Sequence, residues 1–420
     1  MSVSLRLPMR CNLMIRIQAT LVLCAALFSA SSLWAQDEAT PPAEKSKPQA
    51  EKAEAAKPQA MDPTSVLDEQ QWKEVDESIN RALKWLATQQ EEDGSFPSIQ
   101  NGQPGVTGLC MMAFLSQGHI PGEGEYGDQL KRALDFMISC QNRNGMLAAA
   151  VPDRENLSRA IAHQPGYSSV YNHAIAGLVL SECYAMVGPD QTALIKPIIE
   201  KALEATCQMQ DFRKDRKADD EGGWRYLHDF DGVDSDLSVT GWQLMFLRSA
   251  KNAGFDVQEQ RIARALKYVH RCYIEERGTF SYKVGFRLRT SRGMAGAGIL
   301  ALAHAGLHES PKAQKAGDYI LKSGFHQYNE LGKVQDYNVI GDRYHYGLLI
   351  CSQAMYQLGG RHWREFFPPV AQLLIAKQKD DGSWPPEKIH KDAKYGNAYT
   401  TAVGVLSLSA TNDLLPIFQR

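Results

Sequence analysis

From Val66 onward the chain alternates between two kinds of helical segment. In the first kind apolar residues recur at i, i+4 and i+7, as in Ile79, Leu83 and Leu86 and again in Ile262, Leu266 and Val269. That spacing places one apolar stripe on an otherwise polar helix. The second kind is apolar nearly all round, as in Gly298-Ile299-Leu300-Ala301-Leu302-Ala303, which predicts a helix buried on every side. Segments of the second kind are expected to begin near Thr107-Gly108, His173-Ala174, Thr240-Gly241, Gly293-Met294, His345-Tyr346 and Thr401-Ala402. Most stop at a glycine (Gly118, Gly188, Gly254, Gly306, Gly359), the residue that helix C-termini favour.

The alternation is a repeat. A basic-Ala-Leu triplet opens four clear copies, at Arg81, Arg132, Lys201 and Arg264. Gln90, Gln141 and Gln210 follow at a constant distance, with Tyr273 in that place in the fourth copy. Next comes a glycine with an apolar or aromatic residue: Gly94-Ser95-Phe96, Gly145-Met146-Leu147, Gly223-Trp224 and Gly278-Thr279-Phe280. A sixth copy ends in Gln378 and Gly382-Ser383-Trp384, and a degenerate fifth lies around Tyr319-Ile320 and Gln327. Six helix pairs over residues 66–420 give a repeat of roughly 59 residues each, longer than tetratricopeptide or HEAT repeats. An inner ring of all-apolar helices within an outer ring of amphipathic ones would bury every apolar face. The expected fold is all-α, a closed (α/α)6 toroid over residues 66–420; an open solenoid would leave apolar ends to cap.

The first 65 residues read differently. Arg6, Arg10 and Arg16 precede a short apolar run, Ala19 to Ala30, and Ser31-Ser32-Leu33-Trp34-Ala35 reads as a cleavage approach. Residues 1–35 are therefore expected to be a signal peptide, which makes the rest periplasmic or extracellular. Leu21-Val22-Leu23-Cys24 resembles a lipoprotein acylation site, but Leu23 is bulky where a small residue is wanted. Residues 36–65, rich in Ala, Pro, Lys, Glu and Gln, are expected to be a disordered linker. No later stretch is long and apolar enough to span a bilayer.

Composition narrows the function classes. The chain has 420 residues, 44% hydrophobic and 22% charged, with 46 basic against 48 acidic side chains. Removing residues 1–35 takes away three arginines and no acid, so the remainder is acidic overall. That balance argues against a nucleic-acid partner, which needs a concentrated basic face. Cys110, Cys140, Cys183, Cys207, Cys272 and Cys351 form no Cys-x-x-Cys pair and lie within predicted helices. Buried free thiols are the default, with a bridge between neighbouring helices as the alternative. Phosphate-binding glycine loops, Gly-x-Ser-x-Gly and His-Glu-x-x-His are all absent, and nothing calls for a cofactor.

The segments Arg81 to Phe96 and Gln378 to Trp384 resemble the QW repeats of squalene–hopene cyclases. The resemblance covers essentially residues 66–420 and extends to protein prenyltransferase β subunits. Gly222-Gly223-Trp224-Arg225-Tyr226, followed by Asp234-Ser235-Asp236-Leu237-Ser238-Val239-Thr240-Gly241-Trp242, is similar to exported bacterial members largely without assigned activity. The cyclases carry Asp-x-Asp-Asp-Thr at the start of an inner helix, and its middle Asp protonates an alkene or epoxide. Here Asp234 and Asp236 fall on the first two acids, Leu237 replaces the third, and Ser238 replaces Thr. The resemblance makes Asp236 a candidate acid. Simple helix capping by Asp236 or Ser238 is the alternative. The prenyltransferases bind zinc through Asp, Cys and His. Only His345 has a counterpart here, so no metal site is expected.

In such a ring the segments entering the inner helices converge on one mouth. Candidate ligand-binding residues there are Tyr171 and His173, Trp224 and Tyr226, Arg289 and Arg292, and Tyr344, His345 and Tyr399. Near them in sequence lie Tyr167, His228, Asp229, Asp231, Arg287, Asp342, Arg343, Tyr395 and Asn397. Arg287, Arg289 and Arg292 suit a carboxylate or phosphate, or alternatively neutralise the acids from Asp229 to Asp236. A packed histidine is the bland reading of His173 and His345. Three functions stay open: an exported enzyme of the cyclase class acting on an apolar isoprenoid, a non-catalytic toroid binding a lipid, peptide or glycan, and a polysaccharide lyase or hydrolase.

Overall fold

The computed structural model describes residues 61–150, 165–184, 186–211, 218–227, 234–330, 343–387 and 391–420. Residues 1–60 lie outside them, and so do His228, Asp229, Asp231 and Asp342. Twelve α-helices occur among the described residues. Six have a single buried stripe: α1 (Glu69–Gln89), α3 (Gly127–Ser139), α5 (Pro189–Asp211), α7 (Glu259–Arg271), α9 (Pro311–Ser323) and α11 (Gly360–Lys377). Alternating with them are α2 (Gly105–Leu115), α4 (Pro165–Tyr184), α6 (Leu237–Asn252), α8 (Arg292–Ala303), α10 (Tyr344–Leu358) and α12 (Gly396–Leu408). These inner helices are buried along most of their length, α2 at every residue. Each fully buried Leu or Ile contributes roughly 1.5–3 kcal/mol relative to exposure. The alternating pattern of the sequence is thus the alternation of the fold.

Each inner helix packs on the next, from α2 through α4, α6, α8 and α10 to α12, and α12 packs in turn on α2. The repeat motif is the fastening between neighbours. Gln90 Nε2 donates to the Gln129 carbonyl at 2.8 Å, Gln141 to Ile198 at 2.7 Å, and Gln210 to Arg261 at 3.1 Å. Gln378 closes the same bond with Ser78 at 2.9 Å, 300 residues away, so the sixth unit holds the first as the first holds the second. The motif glycine works beside it. Gly382 has φ +91°, and a Cβ there would strike the carbonyl of Arg81. Gly94, Gly145 and Gly222 meet Arg132, Lys201 and Arg264 in the same way. In the third copy the docking glycine is therefore Gly222 rather than Gly223. Phe96, Leu147, Trp224, Phe280 and Trp384 are all buried, two residues past the docking glycine.

Several boundaries differ from the sequence expectation. α4 begins at Pro165, well before His173, because proline suits a first helical turn and the polar residues 167–172 do not prevent helix. α2, α6, α8, α10 and α12 also start earlier than expected, by one to five residues. Tyr171, His173, Tyr344, His345 and Tyr399 consequently sit on helices rather than in the loops before them. On α7 only Val269 of the expected stripe is fully buried; Ile262 and Leu266 pack at the rim of the core. Contacts of the domain begin at Met61, ahead of Val66: a 3₁₀ turn, Pro63–Val66, accepts from Trp363 Nε1 through Pro63 O at 3.0 Å. Two short strands, β1 (Tyr273–Ile274) and β2 (Thr279–Phe280), pair antiparallel with Tyr273 opposite Phe280. At the far end of the inner helices the C-terminal segment lies across the core. Ile417 N donates to the buried carboxylate of Glu182 on α4 at 3.3 Å, and Gln357 on α10 donates to Phe418 O at 2.7 Å.

The six cysteines among the described residues are free thiols; Cys140 and Cys207 are half-buried and the other four buried. No described helix is long and apolar enough to cross a membrane.

Candidate functional site

The N-terminal turns of the inner helices differ from the rest of those helices. There α4 leaves only Tyr167 and Tyr171 half-exposed, α6 only Gly241, and α10 only Tyr346. Arg343 precedes α10 and is half-exposed, as are Tyr395, Gly396, Asn397 and Tyr399 around the start of α12. Tyr167 and Tyr171 are spaced i, i+4 and so share a face. This end is the candidate mouth, and it is mostly phenolic.

Asp236 stands at the start of α6, at this end of the fold. Its side chain is fully buried and caps α6, with Oδ1 accepting from Val239 N at 2.9 Å and Ser238 Oγ at 3.1 Å. Oδ2 accepts from Tyr282 OH at 3.1 Å and faces Arg225 Nε at 3.8 Å. Burial raises the Asp236 pKa, and Arg225, the Val239 amide, Ser238 and Tyr282 oppose that rise. Two lines of hydroxyls lead outward. Ser238 Oγ bonds Tyr171 OH in a short hydrogen bond. Tyr282 OH bonds Tyr226 OH at 2.6 Å, and Tyr226 bonds Tyr167, whose ring lies 4.3 Å from it. Arg225 stands 5.2 Å from the Tyr226 ring and 5.9 Å from that of Tyr282. Burial drives the phenol pKa values of Tyr171, Tyr226 and Tyr282 well up, so all three are neutral hydroxyls able to donate and accept.

A second cluster surrounds His345, which is 1% exposed. Its Nδ1 meets Glu387 Oε2 at 3.2 Å and its Nε2 meets Tyr328 OH at 2.9 Å. Glu387 Oε1 accepts from Tyr344 N at 3.0 Å, holding the carboxylate at the start of α10. Tyr344 packs among Phe325, Tyr328 and His345 with ring separations of 5.1–5.7 Å. Tyr399 lies 6.2 Å from the His345 ring and is itself half-exposed. Arg343 pairs with Asp392 and donates to Tyr167 OH at 3.5 Å.

The structure thus gathers Tyr171, Tyr226 and Asp236 into one network and Tyr344, His345 and Tyr399 into another. Asp234 is buried two residues before Asp236. Trp224 belongs to the core: its Nε1 donates to Thr206 O at 2.9 Å, and its backbone pairs with that of Asp236. His173 lies away from the mouth. Its Nδ1 accepts from Leu147 N at 3.1 Å, the task performed by Thr107, Thr240 and Thr401 in other repeats, and its Nε2 meets Thr206. Burial lowers its pKa to about 4, which keeps it neutral. The three arginines do not converge. Arg287 pairs with Glu276, Arg289 is exposed near Phe286, and buried Arg292 donates to Gly324 O and Glu330 O. Among the described residues no three His, Cys, Asp or Glu side chains are placed to hold a metal ion.

Sequence reasoning did not single out Tyr282, Tyr346, Glu387 or Asp392. For Tyr282 a signal existed: it lies two residues beyond the buried Phe280, as Tyr226 lies beyond Trp224, and period-2 spacing puts both on the Asp236 side. Glu387 carries no comparable mark. A groove of about 570 Å³ lined by Tyr184, Lys196, Glu204, Cys207 and Phe255 opens elsewhere and touches neither cluster.

No protein-family model matches the chain, and no curated protein matches it in sequence. Solved structures do. The type II terpene cyclase MstE from Scytonema, in complex with geranylgeranyl dihydroxybenzoate, is similar with a TM-score of 0.53 and 12% identity, over 83% of this chain and 100% of that one. Its apo form gives 0.51 and 11%, over 82% and 99%. A glycosidase variant in complex with glucose gives 0.53 and 13%, over 83% and 100%. At such identities the likeness speaks for the fold alone, a helical fold of the α/α-toroid kind.

Proposed function

We propose that residues 66–420 form a closed ring of six helix pairs that binds a small hydroxylated ligand, of the saccharide class, at the phenolic mouth. We further propose that the protein is exported after cleavage near Ala35. The bond from Gln378 to Ser78, repeating that from Gln90 to Gln129, supports the closed ring.

One observation carries the choice of ligand. The large side chains that the inner helices leave half-exposed at the mouth are tyrosines, namely Tyr167, Tyr171, Tyr346 and Tyr399. A pyranose presents C–H faces to aromatic rings and hydroxyls to phenols, a guanidinium and carboxylates. A purely apolar isoprenoid would strip water from those phenols without replacing it, at roughly 1–3 kcal/mol for each one left unbonded. A second reading has support of its own: acid chemistry on an isoprenoid, with Asp236 as the acid beside Asp234. Burial of Asp236 in a fold like that of a terpene cyclase favours it.

Calorimetric titration of the purified domain against neutral oligosaccharides and against geranylgeranyl compounds decides between them. Saccharide binding that weakens by about ten-fold or more in Tyr399→Ala and Tyr171→Ala is expected, each aromatic contact contributing on the order of 1–2 kcal/mol. Binding of the isoprenoid alone would transfer the conclusion to acid chemistry, and binding of neither would sink both.

A further inference from the structure

Asp236 has no exposed surface, and both its oxygens are occupied by Val239, Ser238, Tyr282 and Arg225. It cannot itself touch a ligand in the mouth. The hydroxyl lines that leave it end differently. Through Tyr282 and Tyr226 the line reaches Tyr167, where Arg343 donates to the phenol oxygen. That line is the longer of the two, and at its end the Tyr167 oxygen already accepts from Arg343. Through Ser238 the line is one residue shorter and ends on the half-exposed Tyr171, whose hydroxyl bonds Ser238 alone among the described residues. One donor or acceptor position on that hydroxyl remains for a ligand.

We propose that Tyr171 is the proton-transfer group of the mouth, exchanging the proton of Asp236 with a bound ligand by way of Ser238. In the forward direction the Asp236 O–H bond breaks as its proton passes to Ser238 Oγ. Ser238 gives its own proton to Tyr171 Oη, and Tyr171 gives its own to a lone pair of the ligand. The ligand gains one positive charge and Asp236 becomes a carboxylate, stabilised where it stands by Arg225, Tyr282 and the Val239 amide. No oxidant or second reactant enters. Burial raises the Asp236 pKa and so favours the protonated form, while Arg225 limits the rise. A ligand with a basic oxygen, such as the bridging oxygen of a glycoside, is the class that could take the proton.

The inference takes its ligand from the saccharide reading, yet the exchange can be measured without one. The infrared carbonyl band of protonated Asp236, identified by its loss in Asp236→Asn, is followed after transfer of the folded protein into D2O. Deuteration of that band is expected to slow by at least about ten-fold in Tyr171→Phe, which keeps the ring, and in Ser238→Ala. Tyr167→Phe should leave the rate within about two-fold. Equal rates in wild type and Tyr171→Phe would overturn the proposal. So would slowing in Tyr167→Phe alone, or absence of the band at every pH where circular dichroism shows a folded chain. Slowed exchange without saccharide binding would remove the ligand and keep the relay; saccharide binding with unchanged exchange would remove the relay and keep the ligand.

Discussion

Arg343 Nη2, at the start of α10, donates to the phenol oxygen of Tyr167 on α4 at 3.5 Å, although two inner helices separate α4 from α10 in either direction. The same guanidinium pairs with Asp392 ahead of α12, and the two side chains are 23% and 13% exposed. One side chain therefore ties together three of the segments that enter the mouth.

Arg343→Ala is expected to lower stability by about 2 kcal/mol, since it strips a largely buried carboxylate of its guanidinium. Arg343→Lys should recover only part of this, because an ammonium cannot hold Asp392 and Tyr167 in one planar fork. Urea denaturation of the two variants checks the order: wild type, then Lys, then Ala.

Gly382→Ala should cost at least about 2 kcal/mol, combining a left-handed backbone with a collision against the Arg81 carbonyl. Gly254→Ala is the control: its φ is +89° but nothing lies within 4 Å of the added carbon, so the collision is absent and the loss should be near 1 kcal/mol. Equal midpoint shifts for the pair would show that docking of unit six on unit one adds nothing.

Glu182 predicts a loss of stability as pH rises from about 4.5 through 7. Burial raises its pKa from 4.5 to about 7, while Ser249 and the Ile417 amide lower it. A carboxyl whose folded pKa lies above the unfolded one holds its proton more tightly when folded. Its contribution is full below pH 4.5 and is lost as pH rises through about 7, on the order of 3 kcal/mol in all. His173 acts in the opposite direction. With its pKa lowered from 6.5 to about 4, its contribution is full above pH 6.5 and is lost as pH falls toward 4. Below pH 6.5 the two groups oppose each other, so the test is the difference between variants: the midpoint of Glu182→Gln minus that of wild type should rise from pH 5 to about 7 and stay constant above.

Asp236→Asn should destabilise the domain by about 2–4 kcal/mol at a pH where Asp236 is ionised, because Arg225 then loses a buried counter-charge while the cap on α6 is largely kept, and by less where Asp236 already holds its proton. Loss of function in that variant would not by itself identify an acid. The thermal midpoint has to be measured alongside it, and Tyr171→Phe is the cleaner probe.

How far the sequence revealed this arrangement depends on the range of the interactions involved. The helix pairs could be read because the stripe of Ile79, Leu83 and Leu86 and the solid run of residues 298–303 are local patterns set by burial. The role of Gln90 and Gly94 was harder to see, since the partners are backbone carbonyls in the next unit and leave no mark on its side chains. Asp236 could be found from its setting before an apolar helix, and its capping of α6 follows the same local rule. Glu387 and Asp392 could not, because their partners His345 and Arg343 lie more than forty residues away in sequence. His173 misled for a related reason. It replaces a threonine that ties the motif to the inner helix of its own unit, and a histidine doing a threonine's work resembles a site residue in the sequence.

The tie between Gln378 and Ser78 also bears on how the chain reaches its final form. The first helix to leave the ribosome or a translocation channel has one neighbour close behind it, but its other neighbour is nearly the last part of the chain to emerge. Until then the α1 face that receives α12 and the Gln378 loop stays wet. Assembly must therefore wait on completion of the chain, and the large sequence separation of this seam predicts slow final closure. A chain cut after the fifth unit would be expected to lack more than one-sixth of the stability, since the first unit would lose its partner as well. By the same logic, joining residue 420 to residue 61 and opening the chain between two other units should yield a domain that folds with a different helix waiting.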